Sequence, residues 1–154
     1  MKNTIIMFVL LLCLSSVSAQ SAKEEIDYFQ SIFGMEKKAL MAEVVQPDET
    51  TKSAFWTLYD SYETKRKELG QQRLAVLMDY GEKYDDLTNE QAAQFLKQTM
   101  TIKKQHDKLL NTFVKKVNKV NGPVTAMRFQ QVEIYILSEI RLAIAGGLPF
   151  PETH

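Results

Sequence analysis

From Asn89 to Val120 the chain runs without a proline or a glycine, and its apolar residues return at steps of three and four. A segment of that length and period predicts one long amphipathic helix. At about 100° per residue, with Lys97 at zero, Lys104 falls at about −20°, Lys108 at about 20°, Lys115 at about 0° and Lys119 at about 40°. The opposite side collects Phe95, Ile102, His106, Leu109, Phe113 and Val117 within about 80°. The helix therefore has a cationic stripe and a broad apolar face, and the apolar face requires partners along its whole length.

The rest of the chain reads the same way. No convincing strand alternation occurs, and the breaks are few: Gln46 with Pro47, the stretch around Leu87 and Thr88, and Asn121 to Pro123. A first helix is expected from Ala22 to Val45, with Leu40 and Val44 inward and a bend at Gly34. A second is expected to start at Asp48 and Glu49, whose charges suit a helix N-terminus, and to reach Asp86. Its inner side follows Phe55, Tyr59, Tyr62, Arg66, Leu69, Arg73, Val76, Tyr80 and Tyr84, and Gly70 and Gly81 are its weak points. The fourth runs from Pro123, suited to a first turn, to the stop at Gly146 and Gly147, with LPFP as an extended tail. It is apolar almost all round, so burial by its neighbours or by a second subunit is predicted. The expected fold is all-α: four helices, the second and third long, forming an elongated helical hairpin or bundle. An elongated chain of this size lacks room for a large central core, so a homodimer is expected to supply missing burial.

The first nineteen residues supply an address. Lys2 precedes the apolar run IIMFVLLLCL, and SSVSA follows, the pattern of a secretory signal peptide with a cut near Ala19 and Gln20. Ten apolar residues fall short of the roughly twenty that span a bilayer. The expected division is a signal peptide at 1–19 and a single all-α domain at 20–154. The single cysteine, Cys13, lies in the leader. The exported domain has no thiol for disulfides, thiolate catalysis or Cys-ligated zinc, and a hydrophobic core must hold it together. A cysteine-free exported domain points to the periplasm.

A formal net charge of zero conceals a partition. Residues 23–63 carry nine acids against four bases, whereas 97–128 carry eight bases and one acid, Asp107. Such asymmetry points to internal complementarity or to a partner surface. The lysine stripe is either a solvated outer face or a contact for acidic and unfolded polypeptides or an anionic membrane. Trp56, beside the inner face of the second helix, is a candidate for an exposed apolar patch. Aromatics near lysines also occur in nucleic-acid binders, a role that export argues against.

The residues of common catalytic and metal sites are poorly placed. His106 stands within an apolar face and His154 ends the chain, while Met35, Met41, Met78, Met100 and Met127 are scattered and fit packing better than copper ligation. No dedicated metal site or cofactor is expected. Asp85 and Asp86 point apart, and Glu133 and Glu139 are not on one face. No catalytic residues are assigned and no enzyme is expected. Arg66 and Arg73 are expected to meet buried acids such as Glu36, Glu43 or Glu133, as architectural pairs.

LTNEQ, residues 87–91, is a capping box: Thr88 can accept from the amide of Gln91, whose side chain can return to the Thr88 amide, and Leu87 with Ala92 form a hydrophobic staple. In an exported, cysteine-free, four-helix chain it also resembles the Spy/CpxP family of periplasmic proteins, which carry LTxxQ at helix starts, with Leu87, Thr88 and Gln91 as the matching positions. The place of an earlier copy is VQPDE, residues 45–49, which lacks the threonine and the glutamine. Through AFWTLYDSYETKR, RLAVLMDYGEKYDDLT and MRFQQVEIYILSEIRLAIAGGLPF the chain looks like a broader group of small exported bacterial helical proteins of unassigned function. The Spy-like resemblance implies an ATP-independent chaperone or envelope-stress accessory, a curved dimer that holds unfolded clients on its concave side. Lys97, Lys104, Lys108, Lys115, Lys119 and Trp56 are then the candidate client contacts. The alternatives are a structural or signalling protein with one envelope partner, and a metal sensor.

Overall fold

The computed structural model describes residues 36–149. The expected leader, the first helix before residue 36 with its bend at Gly34, and the tail from residue 150 lie outside the described residues. What is described is all-α: α1 (residues 36–45), α2 (Lys52–Lys83), a short 3-10 turn at Tyr84–Asp86, α3 (Asn89–Asn121) and α4 (Pro123–Gly147). At about 1.5 Å per residue, α2 and α3 are each about 50 Å long. No strand occurs among the described residues, and none of their helices is long and apolar enough to cross a membrane.

The predicted breaks are the observed ones, and each has a local cause. Gln46 adopts a positive φ of 43°, and its side chain donates to the Glu43 carbonyl at 2.8 Å, closing the end of α1. Asp48 and Glu49, expected to open α2, stand before it. The Asp48 carboxylate accepts from the Thr50 amide at 2.9 Å and the Thr50 hydroxyl at 2.7 Å, and this local turn holds the chain out of the helix until Lys52. At Gly122, φ is 86°, a region that L side chains rarely adopt. This residue reverses the chain between α3 and α4, and its amide still reaches the Asn118 carbonyl at 3.1 Å.

Side-chain pairs set the register. Tyr80 meets Phe95 at 5.7 Å between ring centroids, Tyr62 meets Phe113 at 4.7 Å, and the Asn121 side chain donates to the Thr51 carbonyl at 2.9 Å. α2 and α3 are thus antiparallel along nearly their full length. α4 returns beside both, with Phe129 against Phe113 at 4.4 Å and against Tyr62 at 5.5 Å, and near its far end Tyr80 donates to the Pro149 carbonyl at 2.8 Å. α1 covers the other end. The core lies at that end, where Met41, Val45, Phe55, Tyr59, Tyr62, Phe113, Val117 and Phe129 pack into one cluster. Each buried aromatic there contributes about 2–3 kcal/mol by leaving water.

One burial expectation is corrected and one is narrowed. In α1 the inward residues are Lys37, Met41 and Val45, while Leu40 and Val44 are exposed. The helix is turned by one residue from the purely apolar reading because Lys37 reaches two buried carboxylates. For α4, burial by its neighbours or by a second subunit is expected, and the neighbours within the chain do not supply it: Val124, Met127, Ile134, Tyr135 and Leu142 are 48–71 % exposed. Those five fall within about 100° of arc over about 27 Å of helix. α2 and α3 cover only the other side of α4, where Ala126, Phe129, Glu133 and Ile136 are buried.

Candidate functional site

At the start of α3 the capping box forms as the sequence predicts. Thr88 Oγ1 accepts from the Gln91 amide at 3.2 Å, and Gln91 Oε1 accepts from the Thr88 amide at 2.9 Å. Leu87 and Gln91 are half-buried and Thr88 is exposed. The motif closes a helix end, and its side-chain hydrogen bonds are spent within itself.

Along α3, Lys97, Lys104, Lys108, Lys115 and Lys119 are all exposed, and none forms an ion pair with an acid among the described residues. Asp107, the sole acid of this basic third, is taken by Lys103 at 2.6 Å. At about −100° and −60° from Lys97 stand Leu96 and Met100, which are 63 % and 69 % exposed. Flexible cationic stems and large apolar side chains thus share one side of the helix. Trp56 does not join that surface. It is half-buried on α2, edge-on to Phe55 at 5.0 Å and Tyr59 at 5.4 Å, with the Lys38 ammonium 5.4 Å above its ring.

The sequence reading missed a buried ion network. The Lys37 ammonium stands 2.5 Å from Glu63 Oε1 and donates to Glu133 Oε1 at 2.8 Å. Glu133 Oε2 is 2.7 Å from the same ammonium but accepts no aligned hydrogen bond. Tyr62 donates to Glu133 Oε1 at 2.7 Å, and Arg66 Nε holds both Glu63 oxygens at 2.9 and 3.1 Å. All five side chains are buried, Glu133 completely so at 0 % exposure. Two cations balance two anions. Burial pushes the Glu63 carboxyl up, but Lys37 and Arg66 outweigh it and hold the group below its usual 4.5. Burial pulls the Arg66 guanidinium down, and Glu63 more than restores it. Burial, reinforced by Glu133, drives the Tyr62 hydroxyl far above its ordinary value. Beside the network the Tyr59 hydroxyl is buried without a hydrogen-bond partner.

Glu133 was a predicted buried acid, but its cation is Lys37, and Arg66 pairs within its own helix with Glu63. Arg73 finds no carboxylate among the described residues. A signal for Lys37 was present: it stands four and eight residues before Met41 and Val45, on their side of the helix. Among the described residues no group of three His, Cys, Asp or Glu side chains could hold a metal ion.

A cleft of about 290 Å³ opens between α3 and α4, with His106 and Arg141 among its lining side chains. Burial first, then Arg141, Arg66 and Arg73, push the His106 imidazole down to about 4, against a weaker pull from Asp107.

No protein-family model, curated protein or solved structure matches the chain. The resemblance to Spy/CpxP proteins therefore rests on the sequence motif alone, Leu87, Thr88 and Gln91.

Proposed function

We propose that the chain is a periplasmic, ATP-independent chaperone or envelope-stress accessory that holds unfolded or partner polypeptides on the outer side of α3 and works as a homodimer. The observation that carries this reading is the joint exposure of five lysines without carboxylate partners among the described residues and of Leu96 and Met100 beside them. Such a surface suits segments that expose apolar side chains and acids together. Methionine and lysine adapt to many shapes at low cost, which a holdase needs and a site for one rigid ligand does not. Trp56 is left out of the contact surface because it packs into the core. The uncharged outer stripe of α4 is assigned to the second copy. It displays Val124, Met127, Gln131, Ile134, Tyr135, Ser138 and Leu142, so pairing two such stripes buries no unpaired charge. The reading assigns no catalytic step and no cofactor.

The test is aggregation of a chemically unfolded client in the presence of the mature chain, residues 20–154, at low and at high salt. Suppression near stoichiometric amounts is expected, weakening with salt because exposed charges are screened and with charge reversal at Lys104, Lys108 and Lys115. A folded, helical protein that suppresses nothing at any ratio would overturn the reading. The second reading is a structural or signalling protein with one envelope partner. It is favoured by the narrow, charge-free α4 stripe, a more defined feature than a general client surface. A single dominant product in crosslinking from α4, with no client binding, would establish it in place of the first.

A further inference from the structure

Some of the positive charges in the middle of the bundle have a negative partner and others do not. Arg66 is balanced by Glu63 at 2.9 Å, and Lys103 by Asp107 at 2.6 Å. Arg73 on α2 and Arg141 on α4 have no carboxylate among the described residues, although their guanidinium groups are close enough to repel. Arg73 Nε is shut off from solvent and has no acceptor. Leaving such a donor buried and unsatisfied costs about 1–3 kcal/mol, more for a charged group; Arg73 is not among the side chains that line the cleft and acts on Arg141 and His106 through its charge. His106, on α3, is 9 % exposed, has no hydrogen-bond partner among the described residues, and shares with Arg141 the lining of the cleft between α3 and α4.

The rest of the lining fits a ligand with two ends. Asn111 and Gln130 offer amide donors, and Leu110 and Leu137 form an apolar wall. Asp107 also reaches the cleft, but its charge is held by Lys103. At about 290 Å³ the space takes a small organic molecule and is narrow for a folded polypeptide segment. We propose that this cleft is an anion site in which Arg141 and His106, backed by Arg73, bind the oxyanion head, carboxylate or phosphate, of a small molecule whose apolar part lies on Leu110 and Leu137. Arginine suits the task because its planar fork matches two oxygens at once. The cleft borders the client side of α3 through Asp107 and Asn111 and the outer α4 stripe through Ile134, but anion binding there does not depend on the polypeptide-binding reading.

His106 is the reporter. The charges that face it are Arg141, Arg73 and Arg66, which disfavour its protonation, and Asp107, which favours it. An anion in the cleft offsets the three arginines, so the imidazole takes up a proton at higher pH when the site is filled. The experiment is imidazole nitrogen NMR of the mature chain, with His154 assigned by His154→Gln, titrated with hexanoate, acetate and inorganic phosphate at low salt. Each probe is taken to about 10 mM, enough to fill most of a site with a Kd of about 1 mM. The expected result is a saturable shift of the His106 signals and a rise of its titration midpoint by about one unit. In Arg141→Gln, affinity should fall about tenfold or more, with Arg141→Lys intermediate and helicity unchanged. Hexanoate binding tighter than acetate would assign the apolar wall to the ligand's tail, whereas phosphate binding tighter than both would assign a phosphate head. Unmoved His106 signals with all three probes, or shifts of equal size in Arg141→Gln, would overturn the proposal.

Discussion

Replacing Lys37 by methionine removes the one cation shared by both buried carboxylates while keeping the length and most of the volume of the side chain. In the native protein the Lys37 ammonium is 2.5 Å from Glu63 and 2.7 Å from Glu133. After the change Glu63 retains Arg66 at 2.9 Å, but Glu133 retains only the Tyr62 hydroxyl at 2.7 Å. The network then carries two negative charges against one positive, and the uncompensated one is on a side chain with 0 % exposure. Breaking a buried pair from one side costs about 3–5 kcal/mol, because desolvation persists while the attraction is gone. For a domain of this size that loss corresponds to a drop of about 10–18 °C in Tm, and it is a large part of a typical stability of about 5–15 kcal/mol. The assay is guanidinium unfolding of residues 20–154, followed by circular dichroism and by the emission of Trp56, the chain's single tryptophan. In the Lys37→Met background, Glu133→Gln removes the stranded charge and should restore about 2 kcal/mol or more, giving a strongly non-additive cycle. A loss under about 1 kcal/mol for Lys37→Met, or additive effects in the double variant, would refute the reasoning, because either means the charges are solvated or uncoupled.

Acid should weaken the fold in two stages of the same sign. His106, held at about 4 against an ordinary 6.5, contributes stability that is complete above 6.5 and lost as pH falls toward 4; Glu63, depressed below 4.5, contributes stability that is lost only below that value. Unfolding midpoints across this range check both, and His106→Gln should flatten the upper stage alone. Tyr59→Phe removes a buried hydroxyl that has no hydrogen-bond partner and should be neutral or stabilising by about 1 kcal/mol in thermal unfolding. Gly81→Ala meets open space on a helix and should stabilise by about 0.5–1 kcal/mol, whereas Gly122→Ala, at a φ of 86°, should destabilise by about 1 kcal/mol or more in the same assay. Met127→Glu with Leu142→Glu puts like charges at both ends of the α4 stripe and should lower the sedimentation-derived mass from dimer to monomer without loss of helicity; an unchanged mass would remove the stripe from the dimer contact.

How much of this was legible in the sequence depended on whether a feature is local. The bounds of α3, its capping box and the exposed lysines follow from residues within a few positions of one another, where period and cap chemistry suffice. The start of α2 was misplaced for an equally local reason: Asp48 can serve either a helix N-terminus or its own turn, and its hydrogen bonds to Thr50 decide for the turn. The inward side of α1 was misjudged because it is decided at a distance. Apolar periodicity ranks Leu40 and Val44 inside, yet Lys37 turns the helix toward Glu63, 26 residues away, and Glu133, 96 residues away.

α4 shows the limit of reading burial from composition. A helix apolar all round is expected to be surrounded, and the sequence does not say by what. Within the chain α4 has α3 and α2 on one side, with Phe129, Glu133 and Ile136 inward, and the remaining large side chains line up on the other. The two sides differ in kind. The inner one contains Glu133, whose charge requires Lys37 and Tyr62 in fixed places and so admits one arrangement of α1, α2 and α4. Any shift of α4 by a turn would strand a carboxylate, at several kcal/mol. The outer side has no charge along its centre and therefore sets no register of its own. A surface of that kind tolerates sliding, so a partner that must be held in one orientation has to be positioned by charges at its borders. Arg128 and Glu139 stand on one border of the stripe, on the same flank and about 20° apart around the helix. In an antiparallel pair related by a two-fold axis, like flanks face each other, which brings Arg128 of each copy toward Glu139 of the other. The same two charges would leave a parallel pair without that match, so the orientation of the proposed homodimer would, like the placement of α4 inside the chain, rest on where the few charges are and not on how much apolar surface surrounds them.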